Sequence, residues 1–196
     1  MSPTFILASG SPRRRELLAS LGITFTVVKT DLDETQREGE APLVYVRRLS
    51  IEKATAALSM IEGKSDLTVL AADTIVILNG AILGKPADVV EACKMLVALR
   101  NRSHTVCTGL TLMHVDRHNG NQPTSITELT TTTVTMRDYS DEELEAYIAT
   151  GDPFDKAGGY AIQHEGFHPA AEIEGSYTNV MGLPLETLQA MLKRMG

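Results

Sequence analysis

The sequence predicts an α/β protein, a mixed central β-sheet flanked by helices and folded as one domain over residues 1–196. Three observations carry that prediction. In the first half, short apolar runs suited to buried strands alternate with runs whose apolar residues recur at helical spacing. Later in the chain, long strand-type segments and the Asn-Gly pairs at 79–80 and 119–120 indicate hairpins. No repeat, low-complexity tract or linker divides the chain. Alternation followed by hairpins fits a mixed sheet with helices on its faces, in one piece or in two lobes.

Thr4–Ala8 is the first strand. Ser11 then offers an N-cap and Pro12 a first helical position, so a helix follows through Leu21, with Leu17, Leu18 and Leu21 on one face and Gly22 as its stop. Ile23–Val28 alternates as a second strand, and 31–40 is a loop rich in carboxylates. Residues 43–60 carry Val44, Val46, Leu49, Ala54, Ala57 and Leu58 at the spacing of a long amphipathic helix. A buried strand, 68–72, runs through Asp73-Thr74 and resumes as 75–78. Asn79-Gly80 turns it into 81–83. Residues 89–99 are the next helix, with Met95, Leu96 and Leu99 on its apolar side. Two long strands, 105–115 and 124–136, are joined by a polar loop containing Asn119-Gly120. The threonines 130–133 suit a solvent-facing strand. Ser140 with Glu143 forms a capping box for a helix that ends before Gly151. Tyr160–Gln163 reads as a further strand, 173–179 as a tight loop in which Ser176 and Asn179 cap, and 185–195 as the last amphipathic helix.

Hydrophobic residues make up 43% and charged residues 22%, the proportions of a soluble globular protein. The net charge of −7 argues against nonspecific nucleic-acid binding, so any anion site must be local. No apolar stretch reaches the ~20 residues of a membrane span. Arg13–Arg15 follow the first apolar run instead of preceding it, unlike a secretion signal. Cys93 and Cys107 lack metal-type spacing and read as buried thiols. The expectation is a cytoplasmic protein without membrane contact.

Within this acidic chain, Arg13, Arg14 and Arg15 open a helix at its electrostatically positive end, where cations are disfavoured by ~0.3–1 kcal/mol each. A strand, the turn Ser9-Gly10-Ser11 and a helix start form an anion cradle. The arginines are explained if a polyphosphate occupies it, or they are solvated and bend away; both readings stand at this point. Asp73 interrupts an apolar strand, where a carboxylate is costly unless paired, metal-bound or facing a cleft. Lys85, between Gly84 and Pro86, reads as a turn lysine by itself, and Asp155-Lys156-Ala157-Gly158-Gly159-Tyr160 is a third cluster.

Taken in order, Ser9-Gly10-Ser11-Pro12-Arg13-Arg14, Asp33-Glu34, Glu52-Lys53-Ala54, Ala72-Asp73-Thr74, Gly84-Lys85-Pro86, Asp155-Lys156-Ala157-Gly158 and Gly182-Leu183-Pro184 resemble the successive signatures of the Maf proteins. These are nucleoside triphosphate pyrophosphatases also known as septum-formation inhibitors. The resemblance covers nearly the whole chain. It implies the Maf/ITPase-like fold, two-lobed around a substrate cleft. The tract 155–163 with Glu174-Gly175-Ser176-Tyr177 is similar to the branch that hydrolyses dTTP and UTP, and modified pyrimidine triphosphates come within its reach. The alternatives are the 7-methyl-GTP branch, or a nonenzymatic regulator of septum formation. The chain departs from the pattern after Gln163. It has His164-Glu165-Gly166-Phe167-His168 where a glycine-rich turn is usual. The two histidines are spaced like a helical metal pair, but Gly166 and Pro169 favour an exposed loop.

The resemblance also implies roles. Asp73 is the catalytic residue, as general base or anchor of the metal-bound water, and Glu34 is the second carboxylate at a Mg²⁺ or Mn²⁺ ion. Arg13, Arg14, Lys53 and Lys85 hold the triphosphate, with hydrogen bonds from Ser9 and Ser11 and a further contact, phosphate or structural, from Lys156. Arg13, Thr74 and Gln163 match positions associated with substrate choice, and the amide of Gln163 suits the edge of a uracil-type base. Arg15 lies on the surface. A homodimer is the implied assembly.

Overall fold

Seven strands in a single mixed sheet are laid out so that three parallel strand ends open on one side. The structure is a computed structural model describing residues 4–62, 66–116 and 122–195; the expected Asn119-Gly120 turn lies outside them. In chain order the elements are β1 (Thr4–Ala8), α1 (Pro12–Ser20), β2 (Thr26–Val27), α2 (Pro42–Ser59), β3 (Leu67–Leu78), β4 (Ala81–Leu83), α3 (Val89–Leu99), β5 (Ser103–Val115), β6 (Thr124–Met136), α4 (Asp141–Ala149), β7 (Ala170–Glu174), α5 (Tyr177–Val180) and α6 (Leu185–Met195), with two 3₁₀ turns at Asp152–Asp155 and Ala157–Gly159. The sheet order is β2-β1-β3-β5-β6-β7, and β4 pairs with β3. β1 is parallel to β2 and β3, whereas β3, β5, β6 and β7 pair antiparallel.

Strand alternation divides the core. On one face Leu7, Leu70, Ala72, Leu110 and Leu112 are covered by Leu18 of α1 and by Leu188 and Met191 of α6. Further along that face Val76, Val106 and Val134 meet α3, α4 and the aromatic rings of Tyr139, Tyr147 and Phe167. On the other face Ile6, Val69 and Ala71 lie under Ala54 and Ala57 of α2. Val46 of α2 packs on Ile75 and Cys107. β3 therefore has a helix on each face, which accounts for its nearly unbroken apolar run.

The pairing of β3 contains an opening. Its pairing with β1 ends at Ala71, opposite Ala8. β4 takes over only at Val76, paired with Leu83. Residues 72–75 thus face no strand on that edge, and Asp73 and Thr74 sit there.

Several segments differ from the sequence reading. Tyr160–Gln163 is not a strand: Tyr160 is extended, neither it nor Ala161 belongs to a strand, and a turn follows. They are held by side chains instead, with the Ala161 amide donating to Tyr147 Oη at 2.9 Å. The Ala170–Glu174 segment forms edge strand β7 on β6, and its last two residues fall in the stretch 173–179 read as a loop. β2 contracts to two residues. Thr132 is buried, not solvent-facing, and receives the Asn179 side-chain amide at 2.9 Å. Cys107 is buried as expected, but Cys93 is only partly so. Gly166 and Pro169 do prevent a helix at His164–His168, which is turn and irregular chain.

Candidate active site

In open sheets with parallel strands, ligands bind beyond the carboxyl ends of those strands. Here β1 delivers Ser9–Arg14, β2 delivers Lys29 and Thr30, and β3 delivers Asp73 and Thr74, all to one cleft of about 580 Å³. α2 adds Tyr45 and Lys53, the β4 end adds Lys85, and the segment after α4 adds Asp155, Lys156 and Gln163. The size is that of a small-molecule or cofactor pocket.

Two neighbouring residues of β3 serve opposite faces. Asp73, 7% exposed, lies on the α2 side, where Lys53 Nζ donates to its Oδ1 at 2.6 Å. The same ammonium is 2.8 Å from Glu34 Oε1, whose side chain is 50% exposed. One cation thus joins both carboxylates. Thr74 points to the other face, 2.9 Å from Thr108 Oγ1, and Thr108 Oγ1 donates to the Asn179 carbonyl at 3.2 Å.

Arg14 fastens that second face. Its Nε donates to the Gly182 carbonyl at 2.8 Å, Nη2 to Thr74 Oγ1 at 2.9 Å and Nη1 to Ser9 Oγ at 3.3 Å. Three of its five N–H groups are spent on the protein and two remain. Burial lowers its pKa, while the charge of Asp73 pulls the other way. Gly182 has φ +103, and a Cβ there would meet Thr74 Oγ1 at 3.3 Å and Arg14 Nε at 3.5 Å, so only glycine suits this crossing. Ser11 caps α1 as expected, accepting from the Arg14 amide.

Arg13 faces the cleft beside Asp155, 3.8 Å away. Arg15 is exposed and outside the cleft lining. Lys85 is exposed at the rim with no ion pair among the described residues. Lys156 lines the cleft, but its ammonium donates to the Asp152 carbonyl at 2.7 Å, to Asp152 Oδ1 at 2.8 Å and to Asp155 Oδ1. All three of its N–H groups are engaged, which pins the 3₁₀ turn. The turn docks on the β4 end through Gly158 N–H to the Gly84 carbonyl at 2.9 Å, so two separate sequence clusters meet. Gln163 is exposed at an otherwise apolar stretch of lining formed by Val76, Leu83, Val106, Ile162 and Met181.

Lys29 and Tyr45 are polar lining residues that lie outside the sequence reading. Lys29 follows β2 and packs its aliphatic stem on Gly10, whose Cβ would lie 3.3 Å from Lys29 Cε. The signal available was its place after a strand parallel to β1. Tyr45 donates to the Glu34 carbonyl at 2.8 Å. Burial, with the carboxylates of Asp73 and Glu34, pushes its phenol up to about 12, so it stays a donor at neutral pH. Cys107, behind Asp73, is pushed up to about 11 by burial and by that carboxylate, so its thiol is no nucleophile.

Asp73 and Glu34 present hard oxygen donors in one place, the chemistry that fits Mg²⁺ or Mn²⁺. No third His, Cys, Asp or Glu joins them in a metal-holding group among the described residues. That suits an ion held by one or two carboxylates whose remaining ligands are water and phosphate oxygens. His164 and His168 belong to no such group either.

Comparison with known proteins follows the same outline. The family model described as Maf-like protein matches residues 4–195. A dTTP/UTP pyrophosphatase of Geobacter sp. (strain M21) is 45% identical over 193 residues, covering 98% of this chain and 96% of the relative. One from Myxococcus xanthus (strain DK1622) is 48% identical, covering 97% and 92%. One from Moorella thermoacetica is 43% identical, covering 97% and 94%. Among solved structures, the Ham1 protein of Staphylococcus aureus shares the fold with a TM-score of 0.50 at 16% identity, covering 98% of this chain and all of that one.

Proposed function

The chain belongs to the Maf family, and on that footing we infer that it hydrolyses dTTP and UTP to the nucleoside monophosphate and pyrophosphate. The naming of its full-length relatives supports the choice of bases. The observation that carries the chemistry is the concentration of Arg13, Arg14, Lys29, Lys53 and Lys85 around Asp73, in a protein of net charge −7.

A triphosphate brings about four negative charges, and cations fixed before it arrives need no reorganisation at the moment of reaction. Ser9, Ser11 and the start of α1 offer donors to phosphate oxygens. Arg14 ties Ser9, Thr74 and Gly182 to one another, so the phosphate wall and the far wall of the cleft are set as a unit. The apolar lining beside Gln163 receives the base, and the Gln163 amide pairs with the donor and acceptor edge of a pyrimidine.

Asp73 is the base. It takes a proton from the water that attacks the α-phosphorus; the bond from that phosphorus to the β-bridging oxygen breaks, and pyrophosphate leaves. Lys53 orients the carboxylate through its 2.6 Å hydrogen bond and stands ready for a phosphate oxygen. Asp73 and Glu34 are the residues that would hold Mg²⁺ or Mn²⁺, which would supply charge stabilisation to the phosphate oxygens.

Pyrophosphate release by the purified protein across dTTP, UTP, CTP and 7-methyl-GTP tests the reading, with dTTP and UTP turned over fastest. Faster turnover of 7-methyl-GTP rejects the base assignment, and no release from any triphosphate rejects the activity. Asp73→Asn keeps the fold and loses about 10²- to 10⁴-fold in kcat, the range for removing a general base. Near-normal turnover in that variant removes Asp73 from the role.

A further inference from the structure

Glu34 is the one acidic group of the cleft carried by irregular chain. Residues 28–37, which include it, have no helix, strand or turn of their own. Its side chain is half exposed and pairs with Lys53. A carboxylate so placed keeps wide conformational freedom unless its backbone is held from outside.

α2 supplies that hold from one face, residues 45, 48 and 52, at i, i+3 and i+7. Tyr45 Oη donates to the Glu34 carbonyl at 2.8 Å and Arg48 Nη2 to the Thr35 carbonyl at 3.2 Å. These carbonyls belong to the two successive peptide units after the Glu34 α-carbon. Arg48 also takes Glu40 in a two-pronged grip, Nε to Oε1 at 2.6 Å and Nη2 to Oε2 at 2.7 Å. Nη1 reaches Glu52 Oε2 at 2.9 Å. Glu40 passes the hold back along the strap, since its Oε2 accepts from the Arg37 amide at 3.1 Å and its carbonyl from Gln36 Nε2 at 2.7 Å. Arg37 completes the set with Glu52 at 3.1 Å. The guanidinium of Arg48 stands 5.5 Å from the Tyr45 ring centroid, so the two clamps brace each other.

We propose that Tyr45 and Arg48 are positioning residues that fix Glu34 for the reaction by clamping the strap 33–40 to α2. Lys53, the residue after Glu52, then meets Glu34 at a set distance, and α2 carries both the clamp and the cation that the clamped carboxylate contacts. The inference rests on the reading that Glu34 belongs to the catalytic cleft. A purely structural clamp would affect stability alone. A positioning clamp acts through Glu34 and vanishes with it.

A double-mutant cycle on the full-length protein separates these cases. Arg48→Met lowers kcat for dTTP by about 10- to 100-fold, the cost of displacing a reacting group by roughly an ångström. Tyr45→Phe, which deletes one hydroxyl, lowers it less, and Arg48→Lys recovers little because it cannot grip two oxygens. In the Glu34→Gln background Arg48→Met causes no further loss beyond about twofold, the mark of coupled residues. Hydrogen exchange by mass spectrometry shows faster exchange in residues 33–40 of Arg48→Met, with α6 unchanged. Multiplicative losses in the double variant, or full kcat in Arg48→Met while Glu34→Gln is impaired, overturn the positioning role alone. Full kcat in Glu34→Gln overturns it by removing Glu34 from the site, and leaves dTTP hydrolysis and the base role of Asp73 standing.

Discussion

Arg14 and Arg15 are adjacent in the chain and opposite in fate. Arg14 is spent on Ser9, Thr74 and Gly182, whereas Arg15 is exposed; Arg13 lies between them in role, facing the cleft beside Asp155. The helix-start charge that looks unfavourable in the sequence is offset by carbonyl, hydroxyl and carboxylate acceptors from distant segments. A different residue contributes to behaviour towards acid. His104 lies under the aromatic cluster with Nε2 2.7 Å from Tyr160 Oη and Nδ1 without a partner among the described residues. Burial lowers its pKa from 6.5 to about 4. The unfolded chain therefore binds a proton at a pH where the folded one does not, and stability falls as pH drops from 6.5 towards 4. This group accounts for about 3 kcal/mol of loss at pH 4. Urea midpoints measured from pH 7 to 4 should show that slope, and His104→Gln should flatten it; matching slopes in both proteins count against the assignment.

At the scale of elements, α2 does most to position the site. It lies against β3, β5 and β6 and carries Tyr45, Arg48, Glu52 and Lys53. Its approach to β5 is close at Gly109, where a Cβ would lie 2.7 Å from the Val46 carbonyl oxygen and 3.2 Å from Ser50 Oγ. Gly109 is also the β5 residue paired with Asp73. Gly109→Ala should lift α2 off the sheet, costing about 1–3 kcal/mol and reducing kcat through Lys53. An unchanged urea midpoint with unchanged turnover would mean that α2 moves freely there. Elements of this kind were legible in the sequence: the periodicity of residues 43–60 matches Pro42–Ser59, and the capping box at Ser140 is formed. Elements decided by distant partners were not. β7 has one β-branched residue in Ala-Ala-Glu-Ile-Glu and owes its existence to pairing with β6. Tyr160–Gln163 has the composition of a strand, but Tyr147 and His104 claim its polar groups. In the cleft, the charged clusters were legible as motifs. Lys29 and Tyr45 carry no motif of their own and enter through strand order and helix phase. The engagement of Lys156 by Asp152 and Asp155 depends on a turn geometry that spacing alone does not fix.

Across the whole molecule the cleft draws on nearly the full length of the chain, from Ser9 to Gly182. β1 lies between β2 and β3, and the run from Ala8 to Leu67 must be laid down before the second pairing exists. Such non-local pairings are slow to form, and chains of this size commonly populate intermediates. Refolding from urea should restore far-UV circular dichroism before dTTP hydrolysis, because helices form locally and the cleft does not. A single shared time course for both signals would contradict this. The bond from Arg14 to Gly182 crosses 168 positions, and it gives the enzyme a timetable as well as a shape. At 5–20 residues per second a ribosome needs about ten to forty seconds to make the chain. From the synthesis of Asp73 until that of Gly182, more than half of that interval, the emerging protein has its arginines and its aspartate but not the wall that Arg14 fastens. A nascent chain surrounded by nucleoside triphosphates gains the second wall of its cleft only when Gly182 has been made.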